Sequence, residues 1–254
     1  MNSVQAHDYD GDGLKDLIYV ADKKLYLAFG PRYEKLPVFT FPDKFRGDSL
    51  HNQLMDVDGD GDMDFVGCSF GLYWIECPDK PKSQWRFHKI SSESNGIHCI
   101  LIHDVDADGA KDVVINNYLP QEKFGESIIW YRVPENPRTD KWKPLTLADR
   151  TAPGGVHYMS MGDLDGDGFA DVVVGIADVD VNDYNSGAIL VYPGGPNGLS
   201  QYPAQFFSSN SHEGRMGYGY VVEDFDNDGQ KDLLAATPLA NLDEAQRYGR
   251  VSLY

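Results

Sequence analysis

Asp8-Tyr-Asp10-Gly-Asp12-Gly13-Leu14-Lys-Asp16 is one of five copies of the same nine-residue pattern, the others starting at Asp56, Asp104, Asp163 and Asp224. In every copy positions 1, 3, 5 and 9 are Asp and position 6 is Gly. Four carboxylates within nine residues repel one another unless a multivalent cation lies among them. A hard ion such as Ca²⁺ takes six to eight oxygens at about 2.3–2.6 Å, and this spacing supplies them. Gly13, Gly61, Gly109, Gly168 and Gly229 permit the positive-φ turn that returns the ninth residue to the site. Position 7 varies freely, as expected where the ligand is a backbone carbonyl. The expected ligands are therefore Asp8, Asp10, Asp12, Leu14 and Asp16; Asp56, Asp58, Asp60, Asp62 and Asp64; Asp104, Asp106, Asp108, Ala110 and Asp112; Asp163, Asp165, Asp167, Phe169 and Asp171; and Asp224, Asp226, Asp228, Gln230 and Asp232. About five Ca²⁺ ions, one per repeat, follow from this pattern.

The flanks exclude an EF-hand. That loop needs a Glu at position 12 inside a helix–loop–helix. Here position 12 is Tyr19, Gly67, Ile115, Val174 or Ala235, none of which can chelate through its side chain. Each loop instead runs into an apolar, largely β-branched stretch such as Val113-Val-Ile115 or Val172-Val-Val174, and follows another such as Ile100-Leu-Ile102. Short apolar runs bounded by Gly and Asp read as buried strands, so each loop joins two antiparallel strands.

The first Asp recurs after 48, 48, 59 and 61 residues, and a four-stranded propeller blade needs about 40–50. The third repeat supplies the remaining strands with Ser127–Val133, a turn bounded by Pro134 and Pro137, and Trp142–Leu147. The second echoes it with Leu72–Ile75, Pro78–Pro81 and Trp85–Ile90. The tryptophans are expected to pack between blades, indole being mainly a large apolar group.

These repeats resemble the FG-GAP/VCBS family, the calcium-loop β-propeller repeats also found at the head of integrin α chains. Arg215-Met-Gly217-Tyr218-Gly219 before the fifth loop, Ala236-Thr237-Pro238 after it, and Gly249–Tyr254 carry the FG-GAP form. Gly187–Tyr192 with Gly195–Ser200 does so in the fourth repeat. The first three repeats are similar to the shorter VCBS form. The resemblance implies an all-β propeller of four-stranded antiparallel blades, one domain over 1–254, with repeats at about 1–47, 48–95, 96–153, 154–211 and 212–254. The fifth repeat ends after its third strand, and Ser3–His7 already serve as the first strand of repeat one. The chain is therefore expected to be part of a larger ring of about seven blades.

A formal charge of −18 excludes binding to nucleic acid or anionic membrane through charge, and no basic run or apolar span for membrane insertion occurs. Half of the 40 acidic residues lie in the loops, and five divalent ions would bring the charge to about −8. Cys68, Cys77 and Cys99 are expected to be buried free thiols. The stretch Met1–Ala6 is too short and polar for a signal peptide, so a targeting segment is expected to lie outside this sequence. Modules with Kd of about 10⁻⁴–10⁻³ M for Ca²⁺ work outside the cell, so the expected location is extracellular or the cell surface.

The ions are expected to clamp strands at one rim, with recognition at the other. There the connections Tyr118–Glu126, Asp178–Ser186 and Leu239–Tyr248 are long, and long loops on a rigid scaffold are where recognition sits. Asp178–Ser186 mixes carboxylates, amides and a tyrosine, suited to sugar hydroxyls or a sixth cation. The expected function is a non-catalytic recognition and adhesion module for glycans or an extracellular protein partner, compatible with other domains of a longer chain. The alternative is a carbohydrate-active lyase or dehydratase using His51, His98 and His157 at the axial mouth, where three imidazoles could bind a metal or act as acid and base.

Overall fold

The computed structural model describes residues 4–42, 49, 51–68, 71–92, 96–118, 128–148, 156, 158–243, 246–247 and 249–254. Among these residues every regular element is a strand. The first sheet comprises β1 (Val4–His7), β2 (Asp16–Ala21), β3 (Lys24–Phe29) and β4 (Glu34–Thr40). The second comprises β5 (His51–Met55), β6 (Asp64–Cys68), β7 (Leu72–Glu76) and β8 (Arg86–Ser91). The third has β9 (Ile100–His103), β10 (Asp112–Asn116), β11 (Ile128–Tyr131) and β12 (Pro144–Ala148), and the fourth β13 (Tyr158–Gly162), β14 (Asp171–Ile176), β15 (Ala188–Tyr192) and β16 (Gln205–Ser208). Each is an antiparallel meander in chain order. The fifth sheet has three strands, β17 (Gly219–Glu223), β18 (Asp232–Thr237) and β21 (Arg250–Leu253).

The sheets stand as propeller blades. Successive first strands touch, β1 with β5, β5 with β9, β9 with β13 and β13 with β17, so these strands are the innermost. Four apolar layers fill the four gaps between five blades. Ile18, Leu25 and Leu27 meet Phe65, Tyr73 and Ile75 in the first gap. Val66 and Trp74 meet Val113, Ile115 and Tyr131 in the second. Val114 and Trp130 meet Val172, Val174 and Tyr192 in the third, and Val173, Ile189 and Val191 meet Met216, Leu233 and Ala235 in the fourth. A strand sends alternate side chains to opposite faces, so a blade with neighbours on both sides buries both sets. β6, β10 and β14 are accordingly buried at every residue, whereas β2 and β18 alternate. All four tryptophans lie within these layers or at their edges, as expected.

The three cysteines are free and buried. Cys68 pairs with Leu72 across the β6–β7 hairpin. In the last blade the long connection holds a small hairpin, β19 (Asn241–Asp243) with β20 (Gln246–Arg247), which the sequence pattern did not suggest. Most of the Tyr118–Glu126 connection lies outside the described residues.

Blades four and five approach backbone to backbone. A Cβ on Gly217, whose φ is +90°, would overlap the Ala188 carbonyl oxygen, and one on Gly175 would overlap the carbonyl of Gly217. Gly217→Ala should therefore destabilise the protein by about 1–3 kcal/mol in denaturant unfolding, as overpacking does. Val251→Ala, on the exposed outer strand of the same blade, should stay within about 0.5 kcal/mol.

Candidate metal centres

Each aspartate loop connects the first and second strands of a blade, and its carboxylates are turned into its own backbone. In loop one Asp8 accepts the Gly11 and Gly13 N–H groups at 2.8 and 2.9 Å. Asp56 does the same with Gly59 and Gly61, and Asp163 with Gly166 and Gly168. Loops three and five carry Ala107 and Asn227 at position 4, at φ 56° and 62°. There Asp104 and Asp224 accept from positions 5 and 6 instead. At position 5 one oxygen accepts the N–H two residues on, closing a small turn in all five loops.

Position 9 has a role that the spacing alone did not reveal. Asp16 accepts N–H groups from Tyr9 and from Gly30, the residue after β3, both at 2.9 Å. Asp64 accepts from Val57 and Cys77, and Asp171 from Leu164 and Gly194. The ninth carboxylate thus ties the start of the loop to the end of the third strand. It is a clamp as well as a candidate ligand. These backbone donors also correct the expectation that only a cation can reconcile so many carboxylates, because each loop solvates part of its own charge with N–H dipoles.

The remaining oxygens converge. In loops one, two, four and five, oxygens of positions 1, 3 and 9 lie within 4.8 Å of one another: Asp8, Asp10 and Asp16; Asp56, Asp58 and Asp64; Asp163, Asp165 and Asp171; Asp224, Asp226 and Asp232. In loop three the converging set is Asp104, Asp106 and Asp108. Asp106 Oδ1 is buried without a hydrogen-bond partner, and its side chain is 5% exposed. Such an oxygen costs free energy unless a cation meets it. Burial pushes the Asp64 carboxyl up to about 8, and burial with the adjacent Asp60 pushes Asp58 up to about 6. Burial also holds Asp112 at about 6. Each shift reports an anion short of compensating positive charge, and an all-oxygen set of this kind fits a hard divalent ion.

Three basic side chains at these loops escaped the sequence reading: Lys82 at Asp10, Arg138 at Asp58 and Arg132 at Asp106. The only early signal was the basic residue after Pro81 and Pro137.

The expected histidine site divides differently. His51 opens β5, and its Nδ1 accepts the Ile100 N–H of the next blade at 3.0 Å. Burial lowers its pKa. The His98 ring stacks on Tyr118 at 4.4 Å, and His157 lies outside the described residues. Among the described residues no group of three metal-ligating side chains includes a histidine.

The Asp178–Ser186 connection is built onto blade five. Tyr184 and Asn185 carbonyls accept the N–H groups of Glu213 and Arg215 at 2.7 and 3.0 Å. Asp183 meets His212 at 3.0 Å, and Asp180 accepts the Asn185 N–H. Its carboxylates brace the loop, and among the described residues they form no sixth metal cluster. Tyr158, at the start of β13, and Tyr218, just before β17, stand 6.0 Å apart edge to face on this same rim.

The clamp and ligand roles separate by substitution. In excess chelator, Asp16→Ala should lower unfolding free energy by about 2–4 kcal/mol, because one buried and one part-buried N–H group lose their acceptor. Asp10→Ala, which removes a carboxylate that holds no backbone group, should cost under about 1 kcal/mol there.

Models of the FG-GAP-like repeat match residues 8–67 and 104–174, and that of the FG-GAP repeat matches residues 159–192. Among solved structures, a lectin from Agrocybe aegerita, described for specific recognition of non-reducing terminal N-acetylglucosamine, superposes with a TM-score of 0.57 at 14% identity. The match covers 99% of this chain and 65% of the lectin. The Vibrio cholerae biofilm matrix protein Bap1 superposes with a TM-score of 0.51 at 15% identity, over 93% of this chain and 34% of Bap1. At such identities both likenesses bear on the fold alone. Among the described residues no helix is long and apolar enough to cross a membrane. With the acidic turn, the blade around it and a family model spanning more than half of the sequence all in agreement, this chain belongs to the FG-GAP-like repeat family.

Proposed function

We propose that this chain is a Ca²⁺-stabilised, non-catalytic recognition module that binds glycan outside the cell or at its surface. The observation that carries the reading is the group of exposed tyrosines opposite the metal loops. Tyr158, Tyr184 and Tyr218 are 47%, 54% and 50% exposed. All three sit where first strands begin or second strands end, on the rim away from the aspartate turns. His212 lies beside Tyr184 with ring centroids 5.7 Å apart. Exposed aromatic faces beside carboxylates and amides suit a sugar, whose ring offers apolar C–H faces and a rim of hydroxyls. The bracing of the Asp178–Ser186 loop against blade five presents Tyr184 on a fixed support, which reduces the ordering cost of binding.

The ions serve the scaffold in this reading. Five ligand sets, each an aspartate loop with the carbonyl of position 7, would hold about five Ca²⁺. The absence of sulfur or imidazole ligands favours a hard ion. The structural likeness to a lectin and to a biofilm matrix protein is compatible with glycan or protein recognition.

Two measurements check this. Adding Ca²⁺ at about ten times its Kd should stabilise by about 1.4 kcal/mol per filled loop. Filling all five should then raise the melting temperature by about 10 °C or more, and a melt unchanged between Ca²⁺ and chelator rejects the ion reading. On a glycan array in Ca²⁺, Tyr184→Ala and Tyr218→Ala should each weaken binding by about tenfold, the loss expected when a contact aromatic is truncated. No glycan bound by the unsubstituted chain, or binding indifferent to both substitutions, removes the proposed site.

A further inference from the structure

The two proline-bounded turns, Pro78-Asp-Lys-Pro81-Lys82 and Pro134-Glu-Asn-Pro137-Arg138, each carry a basic residue directly after the second proline. Each turn is fixed by the tryptophan that follows it. Trp85 Nε1–H donates to the Pro81 carbonyl at 2.9 Å, and Trp142 Nε1–H to that of Pro137 at 3.4 Å. Both indoles pack under the aspartate loop of the preceding blade. Trp85 lies edge-on to Tyr9, the second residue of loop one, and Trp142 shares a layer with Val57, the second residue of loop two.

Held this way, each basic side chain reaches across the gap to the aspartate at position 3 of that loop. Lys82 Nζ lies 3.3 Å from Asp10 Oδ2 and 4.3 Å from the centre of the Phe29 ring. The Arg138 guanidinium pairs with Asp58 Oδ2 and lies 3.6 Å from Asp60 Oδ2. It also donates twice to Glu76 Oε1, at 3.0 and 3.1 Å. Phe29 and Glu76 are equivalent, each the last residue of the third strand of its blade. One offers the cation a π face and the other a carboxylate. The corresponding turn of blade four, Pro193-Gly-Gly-Pro196-Asn197, has no base. There blade three supplies its own: Arg132, 4.8 Å over the Trp130 ring, pairs with Asp106. Among the described residues the position-3 aspartates of loops four and five, Asp165 and Asp226, have no such ion pair.

We propose that Lys82 and Arg138 are tethered counter-cations that tie loops one and two to the next blade and lower their affinity for Ca²⁺, with Arg132 lowering that of loop three from within its own blade. The inference rests on the Ca²⁺ reading of the loops. In the ion-free protein the base neutralises a carboxylate, buried at Asp58 and Asp106 and exposed at Asp10, that would otherwise face its neighbours alone. Once a divalent ion enters, that base becomes a like charge beside it. The blades therefore stay latched without the ion, and the loops respond at a higher Ca²⁺ concentration than bare aspartates would.

The test is a Ca²⁺ titration of the full chain followed by NMR through the Gly13 and Gly61 amides, which donate to Asp8 and Asp56 and report loops one and two separately. Arg138→Gln should tighten loop two about tenfold, the effect of removing one charge about 6 Å from a divalent ion at a solvent-like dielectric. Loop one should not change. Lys82→Met should tighten loop one and spare loop two, which keeps the proposal testable if the Arg138 variant does not fold. Arg138→Lys, which keeps the charge, should stay close to the unsubstituted protein. In chelator both neutralising variants should melt earlier. Unchanged or weaker Ca²⁺ binding in both overturns the counter-cation role while leaving the metal loops standing. Failure of Gly13 and Gly61 to respond to Ca²⁺ in the unsubstituted chain overturns both.

Discussion

A carboxylate folded back onto its own backbone is the interaction from which this architecture follows. At position 9 of each loop the aspartate accepts an N–H from the loop's second residue, and in three loops also one from the end of the third strand. One side chain therefore fixes three strands of a blade relative to one another before any ion enters. Burial is what makes the contact strong, since in a low-dielectric setting N–H dipoles are the cheapest available compensation for an anion. In loops two and three the same burial leaves the position-3 aspartates, Asp58 and Asp106, in need of positive charge, which is the physical ground for a cation there.

Positive charge reaches those aspartates from protein as well as from solvent. Arg138 joins Asp58 to Glu76, which His88 holds in turn at 2.6 Å while stacking on Trp74 at 4.3 Å. This chain of contacts runs from the metal loop of blade two through its outer strands and is closed by the turn of blade three. Apolar layers glue neighbouring blades together without direction, whereas these polar contacts select one register between them. The glycines at the junction of blades four and five act on the same interface by a different route, letting two backbones approach where side chains would hold them apart.

The two rims divide the work. Aspartate turns, prolines and bases occupy one, where hydrogen bonds and ion pairs hold the connections in place. The other carries the long connections and the exposed tyrosines, and its one fully described long loop is braced by hydrogen bonds to the next blade. A rigid disc can carry variable loops at that rim with little loss of core, because strand residues make up most of the layers between blades.

The sequence by itself determined the loops, the strands on either side of them and the blade count of this chain. Those features are local: nine residues set the turn, and alternating or continuous apolar runs set the strands. Val113-Val-Ile115 could be read as a strand buried on both faces from its composition alone. The three strands of the fifth sheet were legible in the same way, from the apolar runs around Asp224–Asp232 and at Gly249–Tyr254. Only the tertiary structure decided that Asp16 and Asp64 are clamps, that Arg138 meets Asp58 eighty residues upstream, and that Tyr158, Tyr184 and Tyr218 share one rim. The reason is distance along the chain. Contacts between blades depend on how far each sheet is rotated against the next, and no pattern within one repeat encodes that rotation. It emerges when large side chains such as Trp85 and Trp142 find their places in the neighbouring layer.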